Sequence, residues 1–342
     1  MIYYEYDKKR IMIVTSNQVD INSWENLINK SAITNFFQSK ECYDFYSSLS
    51  FMESFVFGVS ENESLKGVVV GYIQKDGGRL KQFFTKRAIV IGGALLANDI
   101  SNEALSKLLE YCKKELARKA IYIEFRNFND YSAYKNVFQK NSFEYLPHLN
   151  FHVDCSSEEI VKRNLSKNRK RGIRISLREG ACYVDSPTIE EVYDYYKILS
   201  ALYLTKIKTP LFPFEFFEKL YYLPFSKILL VKYNNKIIGG TVCVKLGNQT
   251  VYEWFACGLD NIYKNIYPST LATYCGIKYA CENNISRFDM MGAGTPDKGY
   301  GVRDFKAKFG GTLMEQGRFL SVVNPILYGI GKVGVQILKA KR

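Results

Sequence analysis

Two carboxylates sit where a titratable group needs a reason to be. Glu253 lies within the run TVYEWFACG and Asp289 within SRFDMMGAG, both otherwise apolar and strand-like. A charge in such a place is costly unless it is partnered or used. Asp289, at the end of a buried strand, would orient a lysine, accept a proton or pair with a local arginine, and the sequence leaves all three open. Glu253 is a second candidate base, on a strand whose register leaves both core and groove faces open. Just downstream, Tyr300 and Arg303 follow glycines at 294, 299 and 301 and suit the gripping of phosphate or carboxylate. Asp304 and Tyr252 complete this candidate substrate-binding set. A further group is basic. In SSEEIVKRNLSKNRKRGIRISLREG, Arg163, Lys167, Lys170, Arg171, Arg174 and Arg178 recur at three- and four-residue steps, which places them along one helix face. So many like charges repel one another, which favours a phosphate-contacting surface over a merely solvated face.

Other chemistries are poorly represented. The chain has two histidines, His148 and His152, close together, and no Ser-His-Asp set is apparent. No cysteine, histidine or carboxylate spacing resembles a zinc or magnesium cage, so no metal is expected. The eight cysteines include no CxxC pair, and the opening MIYYEYDKKR lacks a basic-then-apolar leader, so a reducing, cytoplasmic setting is expected. The net charge of +13 favours phosphate-bearing partners. The apolar stretch from Ala88 to Ala97 is too short to span a bilayer. The Leu320–Leu338 segment, followed by Lys339, Lys341 and Arg342, is expected to pack as a helix on its domain; peripheral contact with the inner membrane face is the alternative.

The elements that must position these residues repeat. In the first half, LKGVVVGYIQKDGGRLKQFF reads as a hairpin turning at Asp76-Gly77-Gly78. A strand at Ala88–Ile91, a helix from about Asn102 to Lys119 capped by Ser101, and the strand IYIEFRNF follow. In the second half, ILLVKYNNKIIGGTVCVKL turns at Asn234-Asn235, and Gly247-Asn248 leads into TVYEWFACG. A helix from about Pro268 to Glu282 then precedes SRFDMMGAG. Each half gives hairpin, strand, long helix, strand. The expected fold is therefore α+β, with two tandem domains, each a mixed and mostly antiparallel sheet flanked by helices. The boundaries are set at 1–153 and 154–342, the second domain including a basic helical linker over about 156–205. Ser156 or Ser157 caps its first helix, and a second helix runs from Ile189 to about Tyr203.

The order of elements is that of GNAT folds, whose sheet opens between its middle strands to admit an acyl donor. The closing segment FDMMGAGTPDKGYGVRDFKAKFGGTLMEQGRFL resembles that of Fem-type peptidoglycan aminoacyltransferases. The shared features are Phe288-Asp289 with Gly292 and Gly294, the stretch Phe305-Lys306-Ala307-Lys308-Phe309-Gly310-Gly311, and Gly317-Arg318-Phe319. The basic stretch NRKRGIRISLREG before a helix pair and FFEKL resembles the linker of the same family.

That resemblance implies an N-acyltransferase moving an aminoacyl group from aminoacyl-tRNA to an amine of a UDP- or lipid-linked peptidoglycan precursor, without a cofactor. It also implies a functional lysine in the Phe-Lys segment, whose cation would stabilise a developing oxyanion or leaving oxygen. Lys306 is the first choice. Lys308, one strand period away, would face the same side if the segment is extended. Acyl-CoA is the poorer donor, because neither NDISNEAL nor YKNIYPSTLA matches the pyrophosphate loop usual in GNAT enzymes. Two other readings stay open: transfer from acyl-CoA or an acyl carrier protein to an amino-sugar or surface-polysaccharide precursor, and non-catalytic binding of tRNA or another nucleic acid.

Overall fold

The computed structural model describes residues 10–15, 19–75 and 85–331. The chain divides into two compact units: residues 1–147 with 316–342, and residues 148–315. In place of a single boundary after residue 153, the chain enters the second unit at His148 and returns to the first after Glu315. The expected turn at Asp76-Gly77-Gly78 and most of the C-terminal apolar stretch, from 332 onward, lie outside the described residues.

In the first unit, β1 (Ile11–Thr15), β2 (Glu53–Glu61), β3 (Ser64–Gln74), β4 (Arg87–Gly92), β5 (Leu95–Leu96), β6 (Tyr122–Asn127), β7 (Glu144–Leu146) and β15 (Arg318–Val322) form one sheet. Its order is β1-β2-β3-β4-β6-β15-β7, with β5 also on β3. The last of the described strands, β15, thus lies between β6 and β7. Helices α1 (Ile21–Lys30), α2 (Lys40–Ser48), α3 (Asn102–Leu116) and α4 (Lys135–Lys140) accompany it. Ser101 caps α3 by accepting from Ala104 N at 3.1 Å. Leu105, Leu108, Leu109, Cys112 and Leu116 lie on its buried face and join the core of Val69, Val90, Ile123 and Phe125.

The second unit has the order β14-β8-β13-β12-β11-β10-β9. Its strands are β8 (Leu149–Asp154), β9 (Cys182–Val184), β10 (Ser226–Tyr233), β11 (Lys236–Leu246), β12 (Thr250–Gly258), β13 (Arg287–Gly292) and β14 (Thr312–Glu315). Its helices are α5 (Glu158–Asn164), α6 (Lys167–Arg178), α7 (Ile189–Leu202), α8 (Phe214–Tyr221), α9 (Pro268–Glu282) and α10 (Gly301–Ala307). The β10–β11 turn places Asn234 and Asn235 at φ 48° and 57°, the left-handed pair expected of a tight hairpin. Thr188 and Glu191 form a capping box at α7. Helix α9 starts at Pro268 and is buried along much of its length against β11 and β12, with Leu271, Ala272 and Ile277 in the core.

The predicted basic helix is two helices. Leu165 ends α5, and Ser166 opens α6 by accepting from Arg169 N at 3.3 Å. Arg163 therefore belongs to a different helix from Lys167, Lys170, Arg171, Arg174 and Arg178. A serine with a free choice between helix interior and cap takes the cap, where its hydroxyl serves an otherwise unpaired amide.

Candidate active site

The site grows from one irregularity in the second sheet. Strands β12 and β13 are parallel, but they pair only from Thr250↔Arg287 to Tyr252↔Asp289. Beyond that level both strands carry a register shift. In β12 the register against β11 shifts between Val242 and Cys243, so that Trp254 is the extra residue. In β13 the register against β8 shifts between Asp289 and Gly292, and Met291 adopts a left-handed φ of 57°. Such a backbone costs about 1–3 kcal/mol in a residue other than glycine and persists only where its surroundings fix it. Asp289 Oδ1 does so here, accepting from Met291 N at 2.7 Å.

The two strands part at Glu253, which is buried, with an Oε1 that has no hydrogen-bond partner. Burial pushes its carboxyl up to about 7, against the pull of the Lys306 cation and the Thr273 hydroxyl, with the Asp289 charge adding to the rise. Lys306 is also buried. Its Nζ donates to the carbonyls of Met290 and, at 2.8 Å, of Gly292, both in the bulged stretch of β13. An ammonium carries three donors, so these two bonds leave one for a ligand. Burial lowers the Lys306 pKa, opposed by Glu253 and Asp289. Asp289 is fully buried, and its Oδ2 lies 3.2 Å from His152 Nε2 without the alignment of a hydrogen bond. The buried Asn150 Nδ2 on β8 is likewise unpaired, and the buried Thr273 hydroxyl on α9 lies near Glu253 with no other partner. Two under-satisfied carboxylates acting on one another, Glu253 and Asp289, with a buried ammonium under the influence of both, are what a site for water or a polar ligand looks like.

The remaining sequence candidates fall elsewhere. Lys308 is exposed, because the segment is the end of a helix rather than extended, and a two-residue step there turns the side chain away. Its carbonyl accepts from Ser166 N at 3.0 Å. Arg303 binds its own loop, donating to the carbonyls of Ala293 at 3.2 Å, Thr295 at 2.7 Å and Lys298. Tyr300 is exposed, its ring against Gly294, and Asp304 is exposed in the first turn of α10. Tyr252 is a core residue whose hydroxyl burial pushes up to about 12. Arg163, Lys167, Lys170, Arg171, Arg174 and Arg178 are all exposed; Arg178 pairs with Glu179 at 2.9 Å. Sequence reading passed over Thr273, Asn150 and the inward-facing Arg169. Arg169 had a signal: it stands four residues after Leu165 and four before Ile173, both buried.

The start of α9, where a GNAT pyrophosphate loop would lie, is closed by a carboxylate. Asp260 accepts from Ser269 Oγ and, at 3.3 Å, from Ser269 N. At the start of α3, Glu61 Oε2 accepts from Ser101 N at 3.1 Å. Among the described residues no group of three or more histidines, cysteines and carboxylates is placed to hold a metal ion, and no helix is long and apolar enough to cross a membrane.

Residues 224–333 match the FemAB family. No curated protein sequence matches the chain. Among solved structures, FemX superposes with a TM-score of 0.69 at 13% identity, covering 94% of this chain and 99% of FemX. The C-terminal domain of a putative lysylphosphatidylglycerol synthetase from Agrobacterium fabrum gives 0.57 at 13% identity, covering 94% and 97%. A tandem GNAT protein from the clavulanic acid biosynthesis pathway gives 0.59 at 9% identity, covering 92% and 99%.

Proposed function

From the premise that the chain is a Fem-type acyltransferase with paired GNAT-like folds, we propose that it transfers an aminoacyl group from tRNA to an amine of a UDP- or lipid-linked peptidoglycan precursor. The reaction is placed where β12 and β13 part. The observation that carries the reading is the buried Glu253 carboxylate, its Oε1 unpaired, on β12 just past the last β12–β13 pair, with the buried Lys306 ammonium acting on it from carbonyls of β13.

The chemistry needs a base, a cation and room for a tetrahedral centre. Glu253 takes the proton from the attacking amine. The amine nitrogen bonds the ester carbonyl carbon, and the carbonyl pair moves onto oxygen, where the Lys306 cation opposes the new charge. As the carbonyl re-forms, the C–O bond to the ribose breaks and the leaving oxygen takes the proton that Glu253 accepted, which restores the carboxylate. Asp289 holds the bulge that supplies the Lys306 anchors. A general base is best placed with a pKa near the working pH, which is where burial puts Glu253. The exposed cations of α6 supply a surface for the tRNA backbone.

The tRNA donor is favoured over acyl-CoA by the carboxylates at the starts of α3 and α9. Each occupies amide or hydroxyl donors that a pyrophosphate would need and repels its charge. The test is a screen of charged tRNAs against peptidoglycan precursors, reading amino acid released and transferred. Transfer that requires both partners is expected. No transfer across the panel, or a pantetheine-bearing molecule co-purifying with the protein, would overturn the donor.

A further inference from the structure

We propose that Arg169 is a positioning residue that locks Lys306 in the site by clamping α10 to the start of α9. The functional meaning of this rests on the role proposed for Lys306; the clamp itself does not. Arg169 leaves the exposed cationic face of α6 and turns inward. Its Nη1 donates to Thr270 Oγ1 in the first turn of α9, and its Nη2 to the Phe305 carbonyl of α10 at 3.2 Å. The same guanidinium lies 4.2 Å from the centre of the Phe305 ring and 4.8 Å from that of Phe309. One planar fork thus holds a hydroxyl, a carbonyl and two aromatic rings, a combination a lysine ammonium cannot reproduce.

The residues held are those on either side of Lys306 on the inward face of the segment. The α5–α6 junction grips the same stretch: Ser166 N donates to Lys308 O at 3.0 Å, and Gly310, at φ 79°, approaches Asn164 O so closely that a Cβ would stand 2.3 Å from it. With Phe305, Lys308, Phe309 and Gly310 all fixed from α5 and α6, Lys306 Nζ is kept on the Met290 and Gly292 carbonyls. Within its own helix of less than two turns, Arg303 ties the first turn to the 293–298 loop, and the grip from α5 and α6 fixes the segment from Phe305 onward.

The experiment uses the full chain with Arg169→Ala and Arg169→Lys. An amine-selective reagent is applied under native conditions, and labelling at Lys306 is read by peptide mass spectrometry against the exposed Lys308. Wild-type Lys306 is expected to be protected. Arg169→Ala should raise its labelling about tenfold or more relative to Lys308, with Arg169→Lys between the two. Unchanged protection of Lys306 in an Arg169→Ala protein that keeps its thermal transition overturns the clamp. If that variant does not fold, Arg169→Lys decides by the same reading, wild-type protection again overturning it. Where transfer is measurable, kcat should fall about tenfold or more with both KM values held; a rise in KM alone refutes positioning. A wild-type chain with no transfer activity counts against the proposed function and leaves the labelling result standing.

Discussion

The two sheets follow the same plan strand for strand, with β1, β2, β3, β4, β6, β15 and β7 answering to β9, β10, β11, β12, β13, β8 and β14. Their parallel pairs differ. In the first unit β4 and β6 stay paired from Arg87↔Tyr122 to Gly92↔Asn127. In the second, β12 and β13 part after Tyr252↔Asp289. By register Glu124 answers to Asp289 and Val90 to Glu253. Glu124 is neutralised: its Oε1 accepts from Arg318 at 2.6 Å and its Oε2 from Arg126 at 2.8 and 2.9 Å. Against the burial that would raise it, Arg126 and Arg318 hold its carboxyl at about 2. The second unit keeps its carboxylates, omits the arginines and supplies one lysine. A closed pair with a satisfied charge is a structural solution; an open pair with an under-satisfied charge is one that chemistry can use.

The largest expected effect tests that contrast directly. Glu253→Gln should lower the rate of transfer by about 10²–10⁴, the range for a lost general base. Lys306→Met should cost about 10²–10³, as for a lost oxyanion partner. Glu124→Gln should leave transfer by the folded protein near the wild-type rate. Steady-state kinetics on the donor–acceptor pair found by screening decides it; a folded Glu124→Gln protein as impaired as Glu253→Gln would end the distinction between the units.

Stability should show the reverse pattern. Arg126→Ala strands Glu124 with one partner fewer in a buried site, and removing one member of such a group costs about 3–5 kcal/mol. Denaturant unfolding of Arg126→Ala should therefore show a loss of that order. Asp289→Asn, which removes a charge with His152 and Lys306 nearby but no arginine hydrogen-bonded to it, should cost markedly less. Equal losses would mean that the second site is as fully compensated as the first.

Much of this was legible in the sequence, and the rest was hidden for identifiable reasons. Helix α9 was expected over Pro268–Glu282 and runs over those residues, because proline fixes its first turn and apolar residues recur along it. The hairpin at Asn234-Asn235 was written in residues that tolerate positive φ. The return of Arg318–Val322 to the first sheet was not visible. A strand's own pattern states which face is apolar but not which sheet it joins, and its partners lie in β6 and β7. The choice between Lys306 and Lys308 turned on whether their segment was strand or helix, and a seven-residue helix after glycines gives little periodicity to read. Whether Glu253 faces core or groove depended on a bulge at Trp254, and one inserted residue inverts the alternation beyond it.

The smallest effect expected is a pH dependence of opposite sign in the two units. The Glu253 carboxyl is raised from 4.5 to about 7 on folding, so the folded state favours its neutral form. That contribution is present in full below the unfolded pKa and is lost as pH climbs through about 7, where burying the charge must be borne. Glutamine at 253 carries no such charge. Relative to wild type, Glu253→Gln should therefore show almost no titration-linked gain near pH 4 and a gain of about 3 kcal/mol by pH 8. For Glu124 the folded pKa is depressed, so its contribution holds above about 4.5 and fades as pH falls towards 2; Glu124→Gln should destabilise at neutral pH. Thermal melts of both variants across this range test the signs together. A difference between Glu253→Gln and wild type that stays flat with pH would mean that folding leaves the Glu253 carboxyl at its unfolded value, too acidic for a base poised near neutral pH.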